Sequence, residues 1–136
     1  FNITLQQGVD FVLMCLEKMW GGELFVPKIP SYRITDVAEA VNNDCSIKIV
    51  GIRPGEKLHE EMITETDALN TVEFQDYYVI LPAVAARWTV DRFIVESNIA
   101  SGSYLPEGFS YNSGTNNHFL TVDELRVLIE NHISAV

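Results

Sequence analysis

Cysteine, basic charge and long apolar runs are all scarce in this sequence. The two cysteines, Cys15 and Cys45, carry no CxxC or Cys/His spacing, so neither a disulfide framework nor a metal site is expected. A reducing, cytoplasmic setting follows. Cys15 falls in an apolar stretch of helical spacing, where a buried free thiol is the ordinary outcome. No apolar run approaches the roughly 20 residues of a membrane span, and Gly8 to Trp20 is interrupted by Asp10, Glu17 and Lys18. No membrane partner is expected. A basic start followed by a small-residue cleavage site is also missing. The chain begins at Phe1 rather than Met, which leaves room for a segment ahead of it.

Nine Lys and Arg stand against 19 Asp and Glu, a net charge of -10. A nucleic-acid partner is disfavoured, because phosphate backbones demand clustered basic side chains. A single phosphate-bearing ligand is not excluded, since screening over about 8 Å lets a local cation outweigh distant acidic surface. The sequence also lacks a GxGxxG dinucleotide fingerprint and a Tyr-x-x-x-Lys catalytic pair. Catalytic residues and a cofactor site are therefore not expected within the chain. Its 136 residues suffice for one domain with a hydrophobic core, read as a single lobe over 1–136.

The periodicity alternates short helices and strands. Thr4 and Gln7 form a capping box ahead of Leu5, Val9, Val12, Leu13, Leu16 and Trp20, and Gly21-Gly22 supplies the stop. This helix is apolar nearly all round, which predicts burial on two sides and self-association when one side is left bare. Glu23 to Ile29 reads as a strand, and Pro27 and Pro30 confine it to an edge or an end. A second helix is predicted from Thr35, with Val37, Ala40 and Val41 facing inward. A β-branched strand is predicted over Ile47 to Ile52, a third helix over Glu56 to Ile63 and a third strand over Val72 to Leu81. Residues 83–102 are unassigned; Trp88, Val90, Phe93 and Val95 suggest a partly buried extended stretch. Tyr104 to Asn117 reads as loop, with Tyr104, Phe109 and Tyr111 better suited to packing than to base stacking. Thr121-x-x-Glu124 caps a last helix with Leu125, Leu128, Ile129 and Ile133 inward. The predicted fold is a small mixed lobe, α/β to α+β, with short strands and about four helices.

Arg53-Pro54-Gly55-Glu56-Lys57 carries the chemistry. A guanidinium at a strand end, ahead of free helical N–H groups, suits the bidentate recognition of a phosphate. Glu56 can accept hydrogen bonds from two adjacent hydroxyls, so the pair suits a nucleoside diphosphate. The competing reading is that Arg53 pairs with Glu56 or Glu60 and only ties the turn. His59 reads as a surface or interface residue. Lys28, beside two prolines, is as readily solvated as engaged.

The runs Phe1-Asn2-Ile3-Thr4, Gly22 to Ser31, Ile34-Thr35-Asp36, Gly51 to Met62 and Pro106 to Ser113 resemble the inverting UDP-N-acetylglucosamine 4,6-dehydratases, of the extended short-chain dehydrogenase/reductase superfamily. The run from Gly51 to Met62 is the specific one. The resemblance implies that the chain is the C-terminal substrate-binding part of such an enzyme, without the Rossmann half. That half would precede Phe1, bind NADP and hold the residues of catalysis, so the chain alone is expected to be inactive. The family oxidises C4 of the sugar, eliminates water across C5 and C6 with inversion at C5, and returns the hydride to C6. Its product feeds pseudaminic acid or related surface-glycan pathways. Carried over by position, Arg53 would meet the diphosphate, Glu56 the ribose, and Lys28 the nucleotide. The implied partners are a UDP-sugar, the N-terminal half and further copies in a homo-oligomer. The alternatives are a non-catalytic binding or assembly module on the same fold, and part of another nucleotide-sugar enzyme such as an epimerase.

Overall fold

The computed structural model describes residues 1–83, 88–96 and 102–132. They form α1 (Leu5–Lys18), β1 (Leu24–Pro27), α2 (Ile34–Val41), β2 (Glu61–Ile63), α3 (Glu65–Ala68), β3 (Thr71–Glu73), β4 (Tyr77–Ile80), α4 (Val90–Glu96), β5 (Ser103–Tyr104), β6 (Tyr111–Asn112) and α5 (Val122–His132). This small mixed architecture of helices and antiparallel sheets agrees with the fold class read from the sequence. The chain divides into two compact units with interleaved segments. One comprises Phe1–Asn2, Ile29–Glu60 and Ser113–Val136, and the other Ile3–Lys28 and Glu61–Asn112.

The second unit holds the larger core. Its four-stranded sheet runs β1-β4-β3-β5 with antiparallel neighbours, and a separate β2–β6 pair lies beside α3 in sequence. Pro27 is tolerated because β1 is an edge strand, as its prolines require. Val72, Phe74, Tyr77, Val79, Leu81, Trp88, Val90 and Phe93 form one buried cluster. Phe11 and Met14 close it from α1, with Phe11 edge-on to Tyr77 at 6.3 Å. The Thr4–Gln7 capping box is formed in both directions, with Gln7 N–H donating to Thr4 Oγ1 at 3.2 Å and Thr4 N–H to Gln7 Oε1 at 2.9 Å. Gly21 and Gly22, at φ 98° and 113°, turn the chain out of α1 and into β1. No residue of α1 is fully buried, however, so burial on two sides is not realised within the chain.

Four predicted elements differ. The run Val72 to Leu81 is a hairpin rather than one strand: Phe74 N–H donates to Tyr77 C=O at 2.9 Å across Gln75-Asp76. A polar turn-forming pair splits the apolar run and lets both halves share one core. No helix forms over Glu56 to Ile63. A turn at Gly55 (φ 85°) is followed by extended chain, and Ile63 is fully buried in β2 opposite Tyr111. The predicted strand Ile47 to Ile52 has no assigned secondary structure, because a β-branched run needs a neighbour to become a strand. Val90–Glu96 is helical rather than extended, with Val90 and Phe93 buried and Val95 exposed. Ala85-Ala86-Arg87, like Ile133, lies outside the described residues.

The first unit is built from α2 and α5, which pack together, and from a short parallel bridge between Ser31 and Phe119. Leu125 is buried and Leu128 and Ile129 are half-buried on α5, as its periodicity predicts. Val41, read as inward-facing on α2, is exposed instead, because it falls on the last turn. Asn116 donates to Ile29 C=O at 2.8 Å and Ser31 Oγ at 3.0 Å, fixing the chain around the fully buried Ser31. Among the described residues no helix is long and apolar enough to cross a membrane.

Two consequences can be measured. A Cβ on Gly102 would lie 2.9 Å from Val72 Cγ1 and from Phe74 Cε1, both inside the core. Gly102→Ala is therefore expected to cost about 1–3 kcal/mol in urea denaturation, as overpacking does. The helix caps should also respond differently to acid. Glu124 accepts from Thr121 N–H at 2.8 Å, and hydrogen bonds from the Thr121 backbone and hydroxyl lower its pKa below 4.5. A lowered carboxyl pKa stabilises the folded cap above pH 4.5, and that contribution is lost as pH falls through the folded value. Gln7 caps α1 without a titrating group. Hydrogen exchange should show α5 fraying at its start on acidification while the start of α1 stays protected.

Candidate functional site

The turn at Arg53–Glu56 is closed by three contacts. Glu56 N–H donates to Arg53 C=O at 3.1 Å, Arg53 N–H donates to Glu56 Oε2 at 2.8 Å, and Arg53 Nε lies 2.9 Å from Glu56 Oε1. Gly55 makes this possible, since its positive φ is strained for residues with a Cβ. One carboxylate thus holds both the backbone and the guanidinium of the same residue. The Arg53 side chain remains 81% exposed and that of Glu56 44%, so the pair is screened by water and easily exchanged. No helix follows the turn, so helical N–H groups do not contribute to an anion site here.

The turn borders an open groove of about 530 Å³ lined by Gly51, Ile52, Gly55, Glu56, Lys57, Leu58 and Glu60. That volume lies within the 300–1,000 Å³ typical of small-ligand clefts. The sequence pattern gave neither Lys57 nor Glu60 a ligand role, although Lys57 directly follows the Arg-x-Gly-Glu run and Glu60 was read only as a possible partner of Arg53. Ser113 shapes one end: Glu60 N–H donates to its hydroxyl at 3.0 Å, and its own N–H donates to Glu60 C=O at 2.8 Å. His59 is exposed, and its ring covers Gly114 so closely that a Cβ there would lie 2.7 Å from it.

Lys28 belongs to the other unit. Its ammonium pairs with Glu73 at 2.7 Å and sits 4.7 Å over the Tyr78 ring. Burial pushes the Tyr78 hydroxyl up to about 12, with Glu73 adding to the shift, so that ring stays neutral under the cation. A phosphate would have to displace Glu73 to engage Lys28. Phe109 and Tyr111 pack against Tyr78 at 5.5 and 5.2 Å, the structural role read from their positions. Tyr104 is more than half exposed and its hydroxyl donates to Asp91. Cys15 is half-buried, and burial raises its thiol pKa; Cys45 is exposed. Among the described residues no group of three His, Cys, Asp or Glu is placed to hold a metal ion.

Comparison with known proteins decides the family. Residues 1–82 match the model of the family described as polysaccharide biosynthesis protein. The chain belongs to that family. The match includes Lys28, Arg53 and Glu56 and every residue of the groove. Among curated relatives, this family member is 45% identical over 97% of its length to the inverting UDP-N-acetylglucosamine 4,6-dehydratase of Campylobacter jejuni. It is 32% identical over 59% of its length to a UDP-glucose 4-epimerase of Rickettsia rickettsii. The chain spans 39% of the dehydratase and 25% of the epimerase. A solved structure of Pen from Bacillus thuringiensis superposes with a TM-score of 0.72 at 25% identity, covering 96% of this chain and 38% of that one.

Proposed function

We propose that this chain is the substrate-holding part of a larger nucleotide-sugar enzyme, an inverting UDP-N-acetylglucosamine 4,6-dehydratase that acts in surface-glycan biosynthesis. The observation that carries the reading is 45% identity over 97% of the chain to a dehydratase of that specificity. The chemistry of the groove supports it. A diphosphate is a stronger bidentate partner for Arg53 than the single exposed carboxylate that holds it now. Once Arg53 turns to the diphosphate, Glu56 is released to accept hydrogen bonds from two ribose hydroxyls. The Arg53–Glu56 pair is thus the resting state of the same two groups that bind the ligand. Lys28 makes the weaker contribution, because Glu73 must give it up.

NADP is assigned to the remaining part of the enzyme. The residues here do not fit a dinucleotide: Gly21-Gly22 follows a helix and precedes a strand, the reverse of a phosphate-cradling loop. On this reading the chain binds and orients substrate, and oxidation and elimination take place on groups supplied by the other half. The enzyme works in the cytoplasm as a homo-oligomer. Leu5, Val9, Val12, Leu13 and Leu16 are 45–87% exposed along α1 and favour assembly, whether with that half or with another copy.

Calorimetry with UDP-N-acetylglucosamine tests the reading. The chain alone should bind weakly and the chain mixed with the complementary part of the Campylobacter jejuni relative should bind and turn over substrate. Arg53→Ala should weaken binding by the mixture about tenfold or more, the scale of a lost charged hydrogen bond, and Glu56→Ala by a similar factor. A mixture that neither binds nor converts the nucleotide sugar would sink the proposal. For assembly, sedimentation of the isolated chain should show self-association that Leu13→Glu and Leu16→Glu abolish. A monomer at high concentration would remove the argument from α1.

A further inference from the structure

Residues 46–50 (Ser46-Ile47-Lys48-Ile49-Val50) have the composition of a strand and lack its bonds. Ile47, Ile49 and Val50 are β-branched, as strands favour, yet they are 60%, 92% and 77% exposed. Among the described residues no backbone group from 46 to 50 takes part in a hydrogen bond. Five consecutive residues therefore offer free N–H and C=O groups on both edges. Alternation places Ile47 and Ile49 on one face and Val50 with Lys48 on the other. The run ends at Gly51 (φ 83°), where the chain turns toward Arg53. An apolar surface of this kind, with an unpaired backbone, is complementary to another extended backbone, which alone satisfies both at once.

We propose that residues 46–50 pair edge-on with an extended strand supplied by the part of the longer polypeptide that this chain does not include. The inference rests on the reading of the chain as one portion of a larger enzyme. The chain spans 39% of the length of its dehydratase relative, so most of the polypeptide length remains to provide the strand. A second copy of this chain is the lesser candidate. The pairing has a consequence for the site. The Arg53 turn leaves directly from residues 46–50, so fixing that segment in a sheet fixes the base from which the guanidinium projects. Assembly would then order Arg53 for its phosphate, and the isolated chain would hold it loosely.

Hydrogen exchange of this chain, alone and mixed with the complementary part of the Campylobacter jejuni relative, tests the pairing. The amides of residues 46–50 should exchange freely in the chain alone and slow by about tenfold or more in the mixture. Adjacent N–H groups point to opposite edges of a strand. At least one of Ile49→Pro and Val50→Pro should therefore remove the protection of residues 46–50 and weaken association. Neither should alter the urea midpoint of the isolated chain, because the segment bonds to nothing there. A mixture that associates and turns over substrate with residues 46–50 still unprotected would overturn the pairing and leave the functional reading intact. Protection without binding of UDP-N-acetylglucosamine would support the pairing while the functional reading fails. Absence of association, or protection that grows with the concentration of the chain alone, would overturn the proposed partner.

Discussion

The Tyr77 ring is the contact on which the larger unit depends. It stacks on Phe74 at 5.0 Å, meets Phe25 of β1 at 5.8 Å and receives the edge of Phe11 from α1 at 6.3 Å. Its carbonyl also closes the β3–β4 turn by accepting from Phe74 N–H. One residue thereby joins the hairpin, the edge strand and the first helix. Aromatic pairs of this spacing add about 0.5–1.5 kcal/mol each beyond the area they bury. Its hydroxyl is buried with no hydrogen-bond partner among the described residues, and burial raises its pKa. That desolvation costs about 1–3 kcal/mol, which the ring contacts and buried area offset.

The smaller unit follows a different economy. It buries few side chains fully, Ser31, Leu120 and Leu125 among them, and relies on local hydrogen bonds around Asn116 and on the α2–α5 contact. The Arg53–Glu56 turn is likewise held by local bonds and not by a core. A site built this way is readily rearranged, since its ion pair is exposed and gains little in water. Such softness would suit the exchange of a carboxylate for a phosphate proposed above. On the functional reading proposed above, a chain of net charge -10 would offer an anion site through one guanidinium that is already paired and needs only to change partner.

Much of the fold was legible because local chemistry specified it. The two capping boxes at Thr4 and Thr121 formed as their spacing demands, since every bond in a box lies within four residues. The edge position of β1 followed from its prolines. Three of the errors share one cause. The apolar runs at Ile47, Glu56 and Val72 have several conformations open to them, and which one forms depends on a distant partner. Tyr111 claims Ile63 for β2, Tyr78 turns back on Glu73, and the segment at Ile47 has no partner among the described residues. For the candidate site, the Arg-Pro-Gly-Glu run could be read from the sequence and the arrangement of its side chains could not. The Arg-Pro-Gly-Glu run announced itself, while the participation of Lys57 and Glu60 in the groove required the turn at Gly55.

The sequence by itself determined where the capped helices start, which strand lies at an edge, that it carries no GxGxxG run, and which residue types could meet a phosphate. Those properties reside in a few neighbouring residues and in the steric limits of proline and glycine. Only the tertiary structure decided that Arg53 rests on Glu56, that Lys28 is engaged by Glu73 over Tyr78, and that residues 46–50 stand bare. A side chain with several possible partners, or a strand-like run with none among the described residues, takes its state from the atoms that the fold brings beside it. The order of residues does not encode that proximity until the backbone has closed.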